Sequence, residues 1–114
     1  MSLVKDFNDY RAKMNEKILA QGDTNMKRLY ALDSSTYQDG ALSIKTKEML
    51  GLVSSMVLRC DDCIKYHLGK CKEEGLTTEE LFEIFCVFSI GYYANASYGN
   101  RTRVRGLEIH YSTI

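Results

Sequence analysis

Apolar positions along this chain recur at three- and four-residue steps, the period of a helix rather than the alternation of a strand. Leu3, Phe7, Tyr10, Met14 and Ile18 mark a first helix, and Gln21-Gly22-Asp23 ends it. Asp23 or Thr24 can cap a second helix, whose face carries Met26, Leu29, Tyr30 and Tyr37, and Asp39-Gly40 then signals a turn. Ser43 reads as the next N-cap. Behind it the stripe of Met49, Leu52, Val53, Met56 and Val57 predicts a third helix over about 44–58. A fourth is expected from Cys60 to Lys72, closed by Gly75 as a left-handed C-terminal residue. Thr77 and Glu80 have the spacing of a capping box ahead of a fifth helix. That helix carries Leu81, Phe82, Ile84, Phe85, Val87, Phe88, Ile90, Tyr92 and Tyr93. It is apolar nearly all round and is expected to be central or to lie in a subunit interface. Residues 95–100 are looser, and 101–112 are a candidate last helix. There is no proline and no strand pattern, so the expected fold class is all-α, a single domain over 1–114 with five to six helices.

Composition narrows the function classes. The chain has 114 residues, 45% of them hydrophobic, with 15 basic and 15 acidic side chains. It can build a core, although at this size its apolar faces are open to completion by partner subunits. Zero formal net charge leaves no electrostatic footprint for nucleic acid or an anionic membrane surface. Arg-Thr-Arg-Val-Arg at 101–105 is the one basic cluster, and it reads as a solvated helix face. No run of about 18 apolar residues could span a bilayer. The N-terminal MSLVKDFNDYRAKM is charged and lacks an apolar signal core. The expected location is the cytoplasm, where thiols are kept reduced, so the four cysteines point to redox or metal chemistry rather than to a disulfide framework.

The chemistry concentrates in CDDCIKYH, residues 60–67. On a helix, Cys60, Cys63 and His67 share one face at steps of three and four. A thiol needs a base or a positive field to become a nucleophile, and His67 lies one turn from Cys63. The two thiols are close enough to close a disulfide. Asp61 and Asp62 suit the helix N-terminus, and either can cap it, although their charge opposes thiolate formation. A carboxylate is the usual partner that orients such a histidine, and Glu48 is the only carboxylate in the third helix. On one straight helix Glu48 and Cys60 would lie about 18 Å apart. Cooperation therefore requires a break near Arg59–Asp61, with the third and fourth helices folded against each other and Glu48 within hydrogen-bond range of His67 or one water away.

Residues 40–67, GALSIKTKEMLGLVSSMVLRCDDCIKYH, resemble the alkylhydroperoxidase D / carboxymuconolactone decarboxylase superfamily. Its redox branch carries a Glu, eleven intervening residues and then CxxCxxxH, met here by Glu48, Cys60, Cys63 and His67. The flanking segments 26–50 and 68–96 are similar as well, so the likeness covers roughly 24–98. The resemblance implies an all-α homotrimer or homohexamer, and no cofactor and no metal are expected. It implies a peroxidase cycle in which one cysteine becomes a sulfenic acid and the other condenses with it. A lipoyl-bearing or thioredoxin-like dithiol protein then reduces the disulfide, and Glu48 and His67 form a proton relay. The histidine beside it assigns Cys63 as the cysteine that attacks the hydroperoxide and Cys60 as the resolving one. The helix terminus and an expected greater exposure argue instead for Cys60. Some members carry a further His directly before the second cysteine. Here that place holds Asp62, so any proton transfer by that group is absent.

Other readings compete. Carboxymuconolactone decarboxylation uses the same fold but has no need of a CxxC pair. A non-catalytic redox sensor or electron-transfer module would oxidise readily and turn over slowly. Zinc is a third reading, but Cys60 to Cys71 spans about 16 Å of one helix, so at most three of Cys60, Cys63, His67 and Cys71 could serve one ion. Cys71 and Cys86 read as structural, His110 as an exposed tail residue, and Tyr92 and Tyr93 as packing rather than pocket residues. The apolar wall of the fifth helix would favour organic hydroperoxides over hydrogen peroxide.

Overall fold

The computed structural model describes residues 2–92, and among these there are five helices and no strand. They are α1 (Leu3–Gln21), α2 (Thr24–Thr36), α3 (Ile44–Leu58), α4 (Asp61–Glu73) and α5 over 78–92. The fold is all-α, as the apolar period predicts. Tyr93, the segment 95–100, the candidate helix over 101–112, the basic cluster at 101–105 and His110 lie outside the described residues.

The described residues divide at Gln38 and Asp39 into two compact units. In the first, Ser2 caps α1 by accepting from the Lys5 amide, and Asp23 caps α2 by accepting from the Met26 amide at 3.0 Å. Gly22 joins the helices because there is no room for a side chain. A Cβ there would lie 2.8 Å from the Ile18 carbonyl oxygen and 2.9 Å from Met26 Cγ. The Tyr30 hydroxyl donates to Asn15 Oδ1 at 3.3 Å, but neither helix buries a residue.

The second unit contains the core. Leu52 and Cys71 are fully buried, with Leu76, Leu81 and Ile84 nearly so. Met49, Val53, Met56, Ile64, Leu68 and Phe85 pack around them. Apart from Leu76, which lies between α4 and α5, these positions recur at helical spacing on α3, α4 and α5, so each helix turns one stripe inward. The chain enters this unit through two side-chain caps: Asp39 accepts from the Ile44 amide at 2.8 Å and Ser43 from the Thr46 amide at 3.2 Å. At its far end Leu76 N–H donates to the Cys71 carbonyl and Gly75 N–H to that of Lys72, with Gly75 at φ 86°. This paired bonding closes α4 with glycine in the left-handed region, as expected. Thr77 then caps α5 by accepting from the Glu80 amide at 3.1 Å, while the Glu80 carboxylate faces Lys45 at 3.8 Å. Only one face of α5 meets the core. Phe82, Val87 and Ile90 remain 63%, 67% and 71% exposed, so among the described residues α5 is not central.

Candidate redox site

The site is set by how α3 ends. Cys60 N–H donates to the Ser55 carbonyl at 3.1 Å and Arg59 N–H to that of Met56 at 3.2 Å. This is the same paired pattern as at Gly75, but the left-handed position is filled by Arg59, at φ 55° and ψ 38°. A side chain in that region costs roughly 1–2 kcal/mol. Arg59 has compensating contacts: its guanidinium donates to the Tyr92 hydroxyl and lies 5.4 Å from that ring's centroid. A cation–π contact at an exposed site contributes about 0.5–1 kcal/mol, so the two offset much of the strain.

The break re-aims the chain within two residues. Cys60 becomes the N-cap of α4, its backbone extended at φ −91° and ψ 97°, and its sulfur accepts from the Cys63 amide at 3.4 Å. This corrects the expectation that Asp61 or Asp62 caps the helix. The cap is the cysteine itself, and both aspartates fall in the first turn, where carboxylates complement the dipole. Cap and third helical residue are neighbours by construction, so Cys60 and Cys63 have Cα atoms 5.2 Å apart and are joined as a disulfide. The greater exposure expected for Cys60 is also reversed. Cys63 is exposed and Cys60 only half-exposed, because the cap position tucks toward the end of α3 while the first turn faces outward.

Behind the disulfide, α3 and α4 pack against each other. Glu48, one turn into α3, is 3% exposed and meets His67 Nδ1 through Oε2 at 2.7 Å. An ionised carboxylate can only accept, so in this bond Nδ1–H donates to Glu48 and the carboxylate orients the ring. The Tyr66 ring stands edge-on to His67 with centroids 5.1 Å apart. The 19-residue separation of Glu48 and His67 is thus closed by folding one helix back on the next.

One turn beyond His67, the Cys71 thiol is buried, and burial together with the nearby Glu48 carboxylate pushes its pKa from 9.0 up to about 11. Cys71 is a packed neutral thiol, and Cys86 is free and exposed on α5. Among the described residues, no three His, Cys, Asp or Glu side chains are grouped to hold a metal ion.

Two features of the site go beyond what the sequence predicts: the Arg59–Tyr92 contact and the capping role of Cys60. The second had a signal, since a residue that caps a helix lies three positions before the amide it bonds. The first had none, because Arg59 and Tyr92 are 33 residues apart.

The architecture recurs in known proteins. Two crystal structures of a Thermotoga maritima protein match at TM-scores of 0.73 and 0.69 with 50% and 49% identity. The first likeness covers 75% of both chains, the second 73% of this chain and 70% of the other. That protein is described as a carboxymuconolactone decarboxylase family protein with a suggested involvement in antioxidative response. A protein of the cox locus of Paracoccus denitrificans is 33% identical over 57 residues, 50% of this chain and 51% of its own. A Cupriavidus necator protein is 30% identical over 50 residues, 44% of each chain. Both are uncharacterised, and the chain spans about half the length of these curated relatives or less. The sequence model of the carboxymuconolactone decarboxylase family matches residues 23–92, from the cap of α2 through α5 and hence across the whole of the site. On that match, and on the half-identical structures, the chain belongs to the carboxymuconolactone decarboxylase family.

Proposed function

We propose that the protein is a thiol-dependent hydroperoxide reductase that cycles Cys60 and Cys63 between dithiol and disulfide. The observation that carries this reading is the buried Glu48–His67 pair at 2.7 Å, placed one helical turn beyond a disulfide-bonded CxxC. In the proposed cycle His67 takes the Cys63 proton, and Glu48 holds the imidazole and stabilises its charged form. The Cys63 thiolate attacks the distal oxygen of ROOH. The O–O bond breaks, the alcohol leaves with a proton, and Cys63 becomes a sulfenic acid. Cys60 displaces water from it to form the disulfide, and a dithiol donates the two electrons that restore the thiols.

The reductant is proposed to be a lipoyl-bearing or thioredoxin-like protein, and the working form a homo-oligomer, trimer or hexamer. The apolar side chains left exposed support the second point, notably Leu50, Val57 and Leu58 on α3 and Phe82, Val87 and Ile90 on α5. A cytoplasmic location fits a thiol pair that must be re-reduced. No helix among the described residues is long and apolar enough to cross a membrane.

The test is alkylation of the free thiols after stoichiometric organic hydroperoxide, with intact mass and peptide mapping, followed by turnover with a dithiol. Loss of two alkylatable thiols, mapped to Cys60–Cys63, together with sustained turnover supports the reading. Thiols that stay alkylatable refute it, and oxidation without turnover leaves a redox sensor. The family's description favours one second reading, lactone decarboxylation. Replacing both cysteines by serine separates the two, because it abolishes a peroxidase and leaves a decarboxylase active.

A further inference from the structure

We infer that the external reductant enters the Cys60–Cys63 disulfide at Cys63 and expels Cys60 as the leaving thiolate. The inference rests on the dithiol reading above and adds the direction of exchange. Two independent observations carry it. The first is access: Cys63 is exposed on the first turn of α4, whereas Cys60 is half-buried against the end of α3. A thiol approaching from solution reaches the Cys63 sulfur first. The second is the fate of the sulfur that leaves. Cys60 is the N-cap of α4, and its sulfur already accepts from the Cys63 amide at 3.4 Å. Negative charge arriving on that sulfur meets an aligned N–H and the positive end of the helix dipole. Asp61 and Asp62 oppose this charge, but Asp62 is drawn toward Lys65, at 4.0 Å, and both carboxylates are exposed to screening solvent. Attack in the opposite sense would require the incoming thiol to reach the less exposed sulfur and would place the leaving charge on Cys63, away from the bond that the Cys63 amide already makes to Cys60.

The step balances. The reductant thiolate forms a bond to the Cys63 sulfur as the Cys63–Cys60 bond breaks, and the electron pair of that bond stays on Cys60. The second thiol of the reductant then attacks its own sulfur in the mixed disulfide and releases Cys63 as a thiolate. In the proposed cycle His67, one turn along α4, exchanges the Cys63 proton. The two thiols thus have separate stabilisers, a helix terminus for Cys60 and a histidine for Cys63, and the proposed peroxide and reductant steps both pass through Cys63.

Glutathione is a suitable probe, because it has no second thiol of its own with which to leave the mixed disulfide, and quenching at the earliest times precedes attack on that adduct by Cys60 or by a second glutathione. The full chain is oxidised with diamide, exposed to excess glutathione, acid-quenched over a time series, alkylated with N-ethylmaleimide and peptide-mapped. The expected result is glutathione on Cys63 with N-ethylmaleimide on Cys60, in an excess of about tenfold over the opposite arrangement. An adduct on Cys60, an even division, or no Cys63 adduct at any time overturns the inference. Diamide makes the disulfide without any hydroperoxide, so this outcome is independent of peroxidase turnover. A chain that directs glutathione to Cys63 but consumes no hydroperoxide would lose only the peroxidase reading.

Discussion

Glu48 is the residue whose replacement separates structure from chemistry most cleanly. Its carboxylate is almost fully buried and meets His67 Nδ1 at 2.7 Å. Glu48→Ala removes the acceptor and strands a buried ring N–H, which costs about 1–3 kcal/mol. In a domain of this size each kcal/mol moves the melting temperature by roughly 4–8 °C, so a clear downward shift is expected. Glu48→Gln keeps an acceptor oxygen in nearly the same place. The bond survives as a neutral one, about half as strong as its charge-assisted form, and the fold should lose no more than about 1 kcal/mol. The chemical effect is larger in proportion. The charge that would stabilise an imidazolium is gone, and a loss of about 1–1.5 kcal/mol at the transition state lowers kcat/KM by roughly five- to tenfold. Thermal melting by circular dichroism and hydroperoxide consumption with a dithiol reductant read the two effects separately. A Glu48→Gln protein with wild-type kcat/KM would refute the relay. A Glu48→Ala protein that melts with the wild type would refute the buried bond itself.

Other outcomes follow from the same geometry. Leu52→Ala should cost about 2–5 kcal/mol in chemical denaturation, because the side chain is fully buried at the centre of the core. Gly75→Ala should cost roughly 1–2 kcal/mol by the same assay although nothing lies within 4 Å of a Cβ there; the penalty comes from φ 86° alone. Cys71 sets an alkaline limit. Its thiol holds its proton to about pH 11 when folded but releases it near 9.0 when unfolded, so stability present below pH 9 falls as pH rises between those values. The loss is at most about 2–3 kcal/mol. Denaturant titrations across that range should show it in the wild type and not in Cys71→Ala, whose baseline is lower. Iodoacetamide at neutral pH should label Cys86 well before Cys71.

Much of this architecture is legible in the sequence because its determinants are local. The apolar steps on α3 and α4, the Ser43 and Thr77 caps and the left-handed Gly75 each depend on residues a few positions apart. The break at Arg59 was required by chemistry, since Glu48 and His67 cannot meet on one straight helix. What forms the break was not legible, because left-handed backbone is normally assigned to glycine, and Arg59 is held there by a residue 33 positions away. Asp61 and Asp62 are better N-cap residues by propensity than cysteine. The bonding at the end of α3 fixes the register instead and leaves Cys60 in the cap. The exposure of the two thiols follows from that one-residue shift. The apolar faces of α5 were visible as a pattern, but a pattern does not say which face a single chain covers.

The double reversal at Arg59 and Cys60 has a consequence for how the site comes into being. Its acid–base pair and its thiols all belong to one helical hairpin, and the longest loop among them is the 19 residues between Glu48 and His67. Closing so short a loop carries a small entropic cost, and contacts this close in sequence form early when a chain folds. The hairpin needs no distant strand or second domain to bring thiol, imidazole and carboxylate into register. A redox centre built this way is portable. Insertions before Asp39 or after α5 change the surroundings of the hairpin without changing the connectivity that assembles it.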